Sequence, residues 1–219
     1  MKKKAVIFDM DGVLVDSESV YLQLFRTFLE ENQCVIDETL LHTLAGASSQ
    51  RTWEIVAQMW KEEITPQEMR TLYKKDHPSY EIPYKEILYP GVKDLLVWLK
   101  QERFVTAIAS SSSEESIQEM LRETELSSLF DCYVSGKWFK NSKPDPEIYL
   151  YTLDKLGLPA GDCIVVEDSA YGIQAAKAAG LTVAAVKDTK FGADQSAADY
   201  LIDRTCELKG LLELQFLYY

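Results

Sequence analysis

The sequence is short of positive charge, of histidine and of long apolar runs, and each shortage closes off a class of protein. Lys and Arg together number 23 against 35 Asp and Glu, a formal net charge of −12. Nucleic-acid binding depends on clustered Lys and Arg, so nucleic acid is excluded as the main partner. The two histidines, His42 and His77, stand well apart from the acidic motifs of the chain. The four cysteines, Cys34, Cys132, Cys163 and Cys206, form no CxxC pair, which suits reduced thiols packed as small apolar side chains in a cytoplasmic protein. No stretch is long and apolar enough to cross a bilayer. The apolar run after Met1-Lys2-Lys3-Lys4 is broken at once by Asp9, so no secretory leader is expected either. Internal repeats and low-complexity segments are also missing.

What is present is an ordinary folded composition, 47% hydrophobic and 26% charged over 219 residues, enough for one core domain and a smaller insert. Ala5-Val6-Ile7-Phe8 is a continuous apolar run of the kind buried on both faces of a parallel sheet. Similar runs recur at Val105 to Ala109, Cys163 to Val166 and Thr182 to Val186, with a weaker one at Asp199 to Ile202. Helical patterns lie between them, at Val92 to Gln101, Glu114 to Arg122, Glu147 to Leu156 and Ala170 to Ala179. This alternation predicts an α/β fold, a Rossmann-like parallel sheet with right-handed crossovers. From about Ser17 to Tyr89 the periodicity is helical only, as in Tyr21, Leu22, Leu24, Phe25, Phe28 and Leu29. Residues 17–86 are therefore expected to form an all-helical insert after the first strand, and residues 1–16 with 87–219 the α/β core. The aromatic residues Trp53, Trp60, Tyr73 and Tyr80 of the insert fit its core better than a pocket.

Ligands of open parallel sheets sit beyond the carboxyl ends of the strands, so the residues after each apolar run carry the chemistry. In Asp9-Met10-Asp11-Gly12 the two carboxylates, two apart in extended chain, can face one point. They could hold a cation, divide nucleophile and acid roles, or form no more than an acidic turn. Glu167-Asp168-Ser169 follows the third run and could add two carboxylates to the same volume or cap the next helix. Four carboxylates together need a divalent cation, a proton or a lysine, and an all-oxygen donor set favours Mg2+. Lys143-Pro144-Asp145-Pro146 presents a lysine from a stiff loop, with Asp145 placed to cap a helix that has Pro146 at its first position. Ser110 to Ser113 places hydroxyls and backbone N–H groups at a helix start, where Ser110 can face an anion and Ser113 can cap.

These four elements, in this order and with a helical insert after the first, closely resemble the haloacid dehalogenase superfamily. The opening Asp9-Met10-Asp11-Gly12-Val13-Leu14-Val15-Asp16-Ser17-Glu18 is similar, more narrowly, to its β-phosphoglucomutase-like branch with a small helical cap. The resemblance implies that Asp9 attacks phosphorus and forms an aspartyl-phosphate, while Asp11 serves as acid and then base. It implies Mg2+ on Asp9, on the backbone carbonyl of Asp11 and on Asp168, with Glu167 in or next to the coordination shell. It also implies that Ser110, the Ser111 amide and Lys143 hold the phosphoryl oxygens.

The same residues serve phosphatases and phosphomutases of the family. The sequence departs from the mutase pattern where that enzyme has a histidine, here Tyr21. It departs again where the mutase cap loop has an arginine, here within Gly46-Ala47-Ser48-Ser49 with Arg51 out of register, and where it has an asparagine, here Glu114. A phosphatase of small phosphomonoesters, sugar phosphates before nucleoside monophosphates, is the reading expected from this; a β-phosphoglucomutase is the alternative. A non-catalytic binding protein is expected to lack the nucleophile or a metal ligand, and neither is lacking. The expected partner is a small phosphorylated metabolite, and the expected state a cytoplasmic monomer.

Overall fold

The computed structural model describes residues 3–44, 49–76, 82–190 and 192–214. By contacts the chain divides into two compact units, Met1–Asp16 with Tyr84–Tyr219, and Ser17–Pro83.

The larger unit is built on a six-stranded, wholly parallel sheet in the order β3-β2-β1-β4-β5-β6. Its strands are β1 (Ala5–Phe8), β2 (Val105–Ser110), β3 (Cys132–Ser135), β4 (Cys163–Glu167), β5 (Thr182–Val186) and β6 (Tyr200–Ile202). The earliest strand in sequence is central, with Ile7 beside Ala107 on one side and Val165 on the other. Every residue of β1 is buried, which is why its sequence is unbroken Ala-Val-Ile-Phe without polar alternation. One core runs along Ala5, Ile7, Ala107, Ala109, Val165 and Val183 and is closed by Tyr149, Ile173 and Leu181. The small alanines let helices pack closely on the sheet.

Between the strands stand helices α6 (Val92–Gln101), α7 (Glu114–Glu123), α8 (Glu147–Leu156) and α9 (Ala170–Ala178). The short α5 (Tyr84–Ile87) and α10 (Leu208–Leu212) complete the unit. The starts of α7 and α9 are fixed by serine caps: Ser113 Oγ accepts from Ser116 N at 3.2 Å and Ser169 Oγ from Gly172 N at 3.0 Å. At α8 the expected cap is displaced by one position. Pro146 is the N-cap residue, and Asp145 Oδ1 accepts instead from Glu147 N at 3.0 Å.

The other unit contains α1 (Ser17–Glu31), α2 (Glu38–His42), α3 (Ser49–Gln58) and α4 (Pro66–Asp76), with no strand among its described residues. Its core gathers Phe25, Phe28, Leu29, Leu41, Ile55, Val56 and Met69. Trp60 stacks on Phe28 with ring centroids 5.4 Å apart, and Trp53 meets Phe25 edge-on at 5.6 Å, so these aromatics are core. Tyr80 and His77 lie outside the described residues. A reciprocal capping box starts α4, in which Glu68 N donates to Thr65 Oγ1 at 3.3 Å and Thr65 N to Glu68 Oε2 at 2.9 Å.

Candidate active site

The carboxyl ends of β1, β2 and β4 lie side by side, and one ammonium group fastens all three. Lys143 Nζ donates to Asp9 Oδ1 at 2.8 Å, to the Ala109 carbonyl at 3.1 Å and to Glu167 Oε1 at 2.6 Å. Its side chain is 7% exposed and that of Glu167 not at all, so both ion pairs are removed from solvent. Glu167 is saturated: Oε1 also accepts from Tyr149 Oη at 2.7 Å, and Oε2 from Asp168 N, Ser169 N and Ser169 Oγ at 3.1 to 3.3 Å. The ring of Tyr149 lies 5.1 Å from the lysine nitrogen, adding a cation–π contact. Asp11 Oδ2 accepts from Ser112 Oγ at 2.7 Å and lies 3.5 Å from Ser110 Oγ. Ser112 N in turn donates to Ser110 Oγ at 3.0 Å, and Ser135 Oγ from β3 holds the Ser112 carbonyl at 2.6 Å.

Two glycines make this crowding possible. Gly12 has φ +75°, and a Cβ there would fall inside the Asp168 carboxylate. At Gly172, in the first turn of α9, a Cβ would overlap the carboxylate of Glu167. The helix forgoes the better propensity of alanine there because a buried carboxylate occupies the space.

Asp9, Glu167 and Asp168 each offer a carboxylate oxygen, and these atoms lie within 4.8 Å of one another. At that spacing like charges repel by roughly 3–4 kcal/mol per pair at an effective dielectric of 20. Lys143 supplies one positive charge against three negative. The Asp9 carboxyl is pushed up to about 8 on balance: burial raises it most, Lys143 pulls it down, and Glu167 and Asp11 push it up. For Glu167, burial also favours the neutral acid, but Lys143 and the hydrogen bonds from Tyr149 and Ser169 outweigh it and hold the carboxyl below its ordinary range. Lys143 is held well above the usual lysine range, because Asp9 and Glu167 outweigh its burial. A proton on Asp9 would offset part of this excess, and a divalent cation would balance it. All three donors are oxygens, so the residues fit a hard divalent cation.

The family profile of the haloacid dehalogenase-like hydrolases matches residues 6–186, which spans the whole of this cluster. The chain belongs to that family. Among its relatives is a phosphorylated carbohydrates phosphatase of Thermotoga maritima, 34% identical over 180 residues, covering 81% of this chain and 82% of the relative. A beta-phosphoglucomutase of Bacillus subtilis is 28% identical over 211 residues, covering 94% of this chain and 91% of that one. The crystal structure of a candidate beta-phosphoglucomutase from Thermotoga maritima superposes with a TM-score of 0.77 at 30% identity, over 97% of this chain and 99% of that one.

In this hydrolase Asp9, Asp11, Ser110, Lys143, Glu167 and Asp168, all singled out from the sequence, meet at one end of the sheet through the bonds given above. Ser111 is exposed beside them. Glu114 is turned to the sheet edge, where its carboxylate accepts from Tyr133 Oη at 2.9 Å, Gln118 Nε2 at 3.2 Å and Trp138 Nε1 at 3.3 Å. Arg51 pairs with Glu54 at 3.1 Å, and residues 45–48, the loop expected to lack the mutase arginine, lie outside the described residues. Sequence reasoning missed Ser112, although it stands in the serine run already marked. It also missed Tyr149, which sits at a core-facing helical position and carries no signal of its hydroxyl's use.

Proposed function

We propose that this chain is a magnesium-dependent phosphatase of small phosphomonoesters, sugar phosphates first, acting through an aspartyl-phosphate on Asp9. The observation that carries the reading is Lys143 tied at once to Asp9, Glu167 and the end of β2, with Asp11 held by Ser112 beside them. The Thermotoga relative named a phosphorylated carbohydrates phosphatase supports the substrate class.

In the first step an oxygen of Asp9 bonds to phosphorus, the bond to the ester oxygen breaks, and Asp11 gives that oxygen its proton. Asp11, now a carboxylate, takes a proton from water as the water oxygen bonds to phosphorus. The bond from Asp9 to phosphorus breaks, and inorganic phosphate leaves. Ser110, the Ser111 amide and Lys143 hold the phosphoryl oxygens, and Lys143 offsets the charge that builds on them. Asp9, Asp168 and the Asp11 carbonyl would hold the cation, with Glu167 beside it as the anchor of Lys143. The cation, when bound, supplies further positive charge to the phosphoryl group. A cytoplasmic monomer belongs to the same reading; the four cysteines are free thiols.

Phosphate release from a panel of sugar and nucleoside monophosphates with Mg2+ tests this, beside an assay for glucose 6-phosphate formed from β-glucose 1-phosphate. Release from sugar phosphates, lost on chelation and reduced at least ~10³-fold in a folded Asp9→Asn variant, is the expected result. Robust isomerisation with little phosphate release would move the chain to the mutase reading, which the Bacillus relative's name keeps in view.

A further inference from the structure

Asp168 lies one residue past the end of β4, and α9 begins two residues later, so its carbonyl falls outside both the sheet ladder and the helix. That carbonyl accepts from Gln195 Nε2 at 2.6 Å. The same nitrogen donates to the carbonyl of Val186, the last residue of β5, at 2.7 Å, while Gln195 Oε1 accepts from Asp188 N at 3.0 Å. One side-chain amide thereby bridges the carboxyl ends of two adjacent strands just where their own ladder stops, and uses both donors and its acceptor to do so. The backbone N–H of Asp168 is fixed too, by Glu167 Oε2 at 3.1 Å. On its open side the Asp168 carboxylate is packed against Gly12. Both peptide planes flanking Asp168 are therefore set by side chains, one from its neighbour in sequence and one from a loop 27 residues on.

We propose that Gln195 is a positioning residue for the metal site, acting through the Asp168 carbonyl to aim the Asp168 carboxylate at the cation. The proposal rests on the reading of Asp168 as a ligand of a divalent cation. Groups that orient metal ligands from behind change metal affinity by one to two orders of magnitude when removed. Gln195 grips the ligand's backbone rather than its carboxylate, which places the expected effect at the lower end of that range.

The test is calorimetric titration of Mg2+ alone into the full-length chain, as parent, Gln195→Met and Gln195→Ala. Each is first shown to be folded by urea unfolding without metal. Gln195→Met keeps the length of the side chain and loses every polar contact; its Mg2+ dissociation constant is expected to rise about tenfold. The alanine variant should match it. A dissociation constant within twofold of the parent's, with or without a fall in the unfolding midpoint, would make Gln195 a brace for its loop and overturn the proposal. A parent that binds no Mg2+ would overturn the metal reading itself, and this inference with it.

Discussion

Without a bound cation, burial raises the pKa of Asp9 to about 8, against about 4 in the unfolded chain. The folded state therefore binds the proton more tightly than the unfolded one, and stability is lost as pH rises from about 4 through 8. Asp9→Asn removes that titration. In chelator-treated protein, the melting temperature of the variant relative to the parent should climb by a few degrees between pH 5 and pH 8. A difference independent of pH would refute the raised value. Glu167 has the opposite sign: its carboxyl is held low, so its contribution is present at neutral pH and fails only as pH falls below the ordinary glutamate range. At this scale, most of the residues legible in the sequence were those that follow an apolar run, because the strand both betrays their position and aims them; Lys143 was legible instead from the proline-stiffened loop that presents it. Tyr149, Ser112 and Gln195 were not legible. Their partners come from other elements, and although Ser112 stands in the marked serine run, nothing beside any of the three in the chain shows which partner it meets.

Among the elements, the four apolar strands β1, β2, β4 and β5 and the helices between them could be read because both faces of a parallel sheet must be covered. β3 could not be: Cys132–Ser135 is a four-residue edge strand with only Tyr133 and Val134 as strand-forming residues. Edge strands need no continuous apolar run, since one side has no neighbour to pack against. Helix α9 shows the reverse case, an element whose sequence is set by the site and not by its own propensity. Gly172→Ala should raise helix propensity yet destabilise the protein by about 3 kcal/mol, because Glu167 must be displaced from a filled space. Displacing Glu167 also frees Lys143, so phosphate release should fall with stability. Urea unfolding together with the activity assay checks both, and a stabilised, fully active variant would contradict the packing described for this turn.

Over the whole molecule, a net charge of −12 opposes the approach of an anionic ester. Lys143, within its two ion pairs, acts at contact distance and does not reverse the long-range field. Raising ionic strength from 10 to 150 mM should therefore increase kcat/KM for a phosphomonoester by about twofold, through screening alone. Stopped-flow or steady-state rates across a salt series at fixed Mg2+ would show it, and a fall would mean that a local positive field dominates. The placement of β1 at the centre of the sheet has a further consequence, for the order of events on the ribosome. Asp9 is made before its neighbours on β2 and β4, which lie far behind it in the chain at Val105–Ser110 and Cys163–Glu167. The carboxylate proposed as nucleophile is thus made well before the strands that complete its surroundings. A nascent chain, or one truncated before β4, holds Asp9 without a site around it.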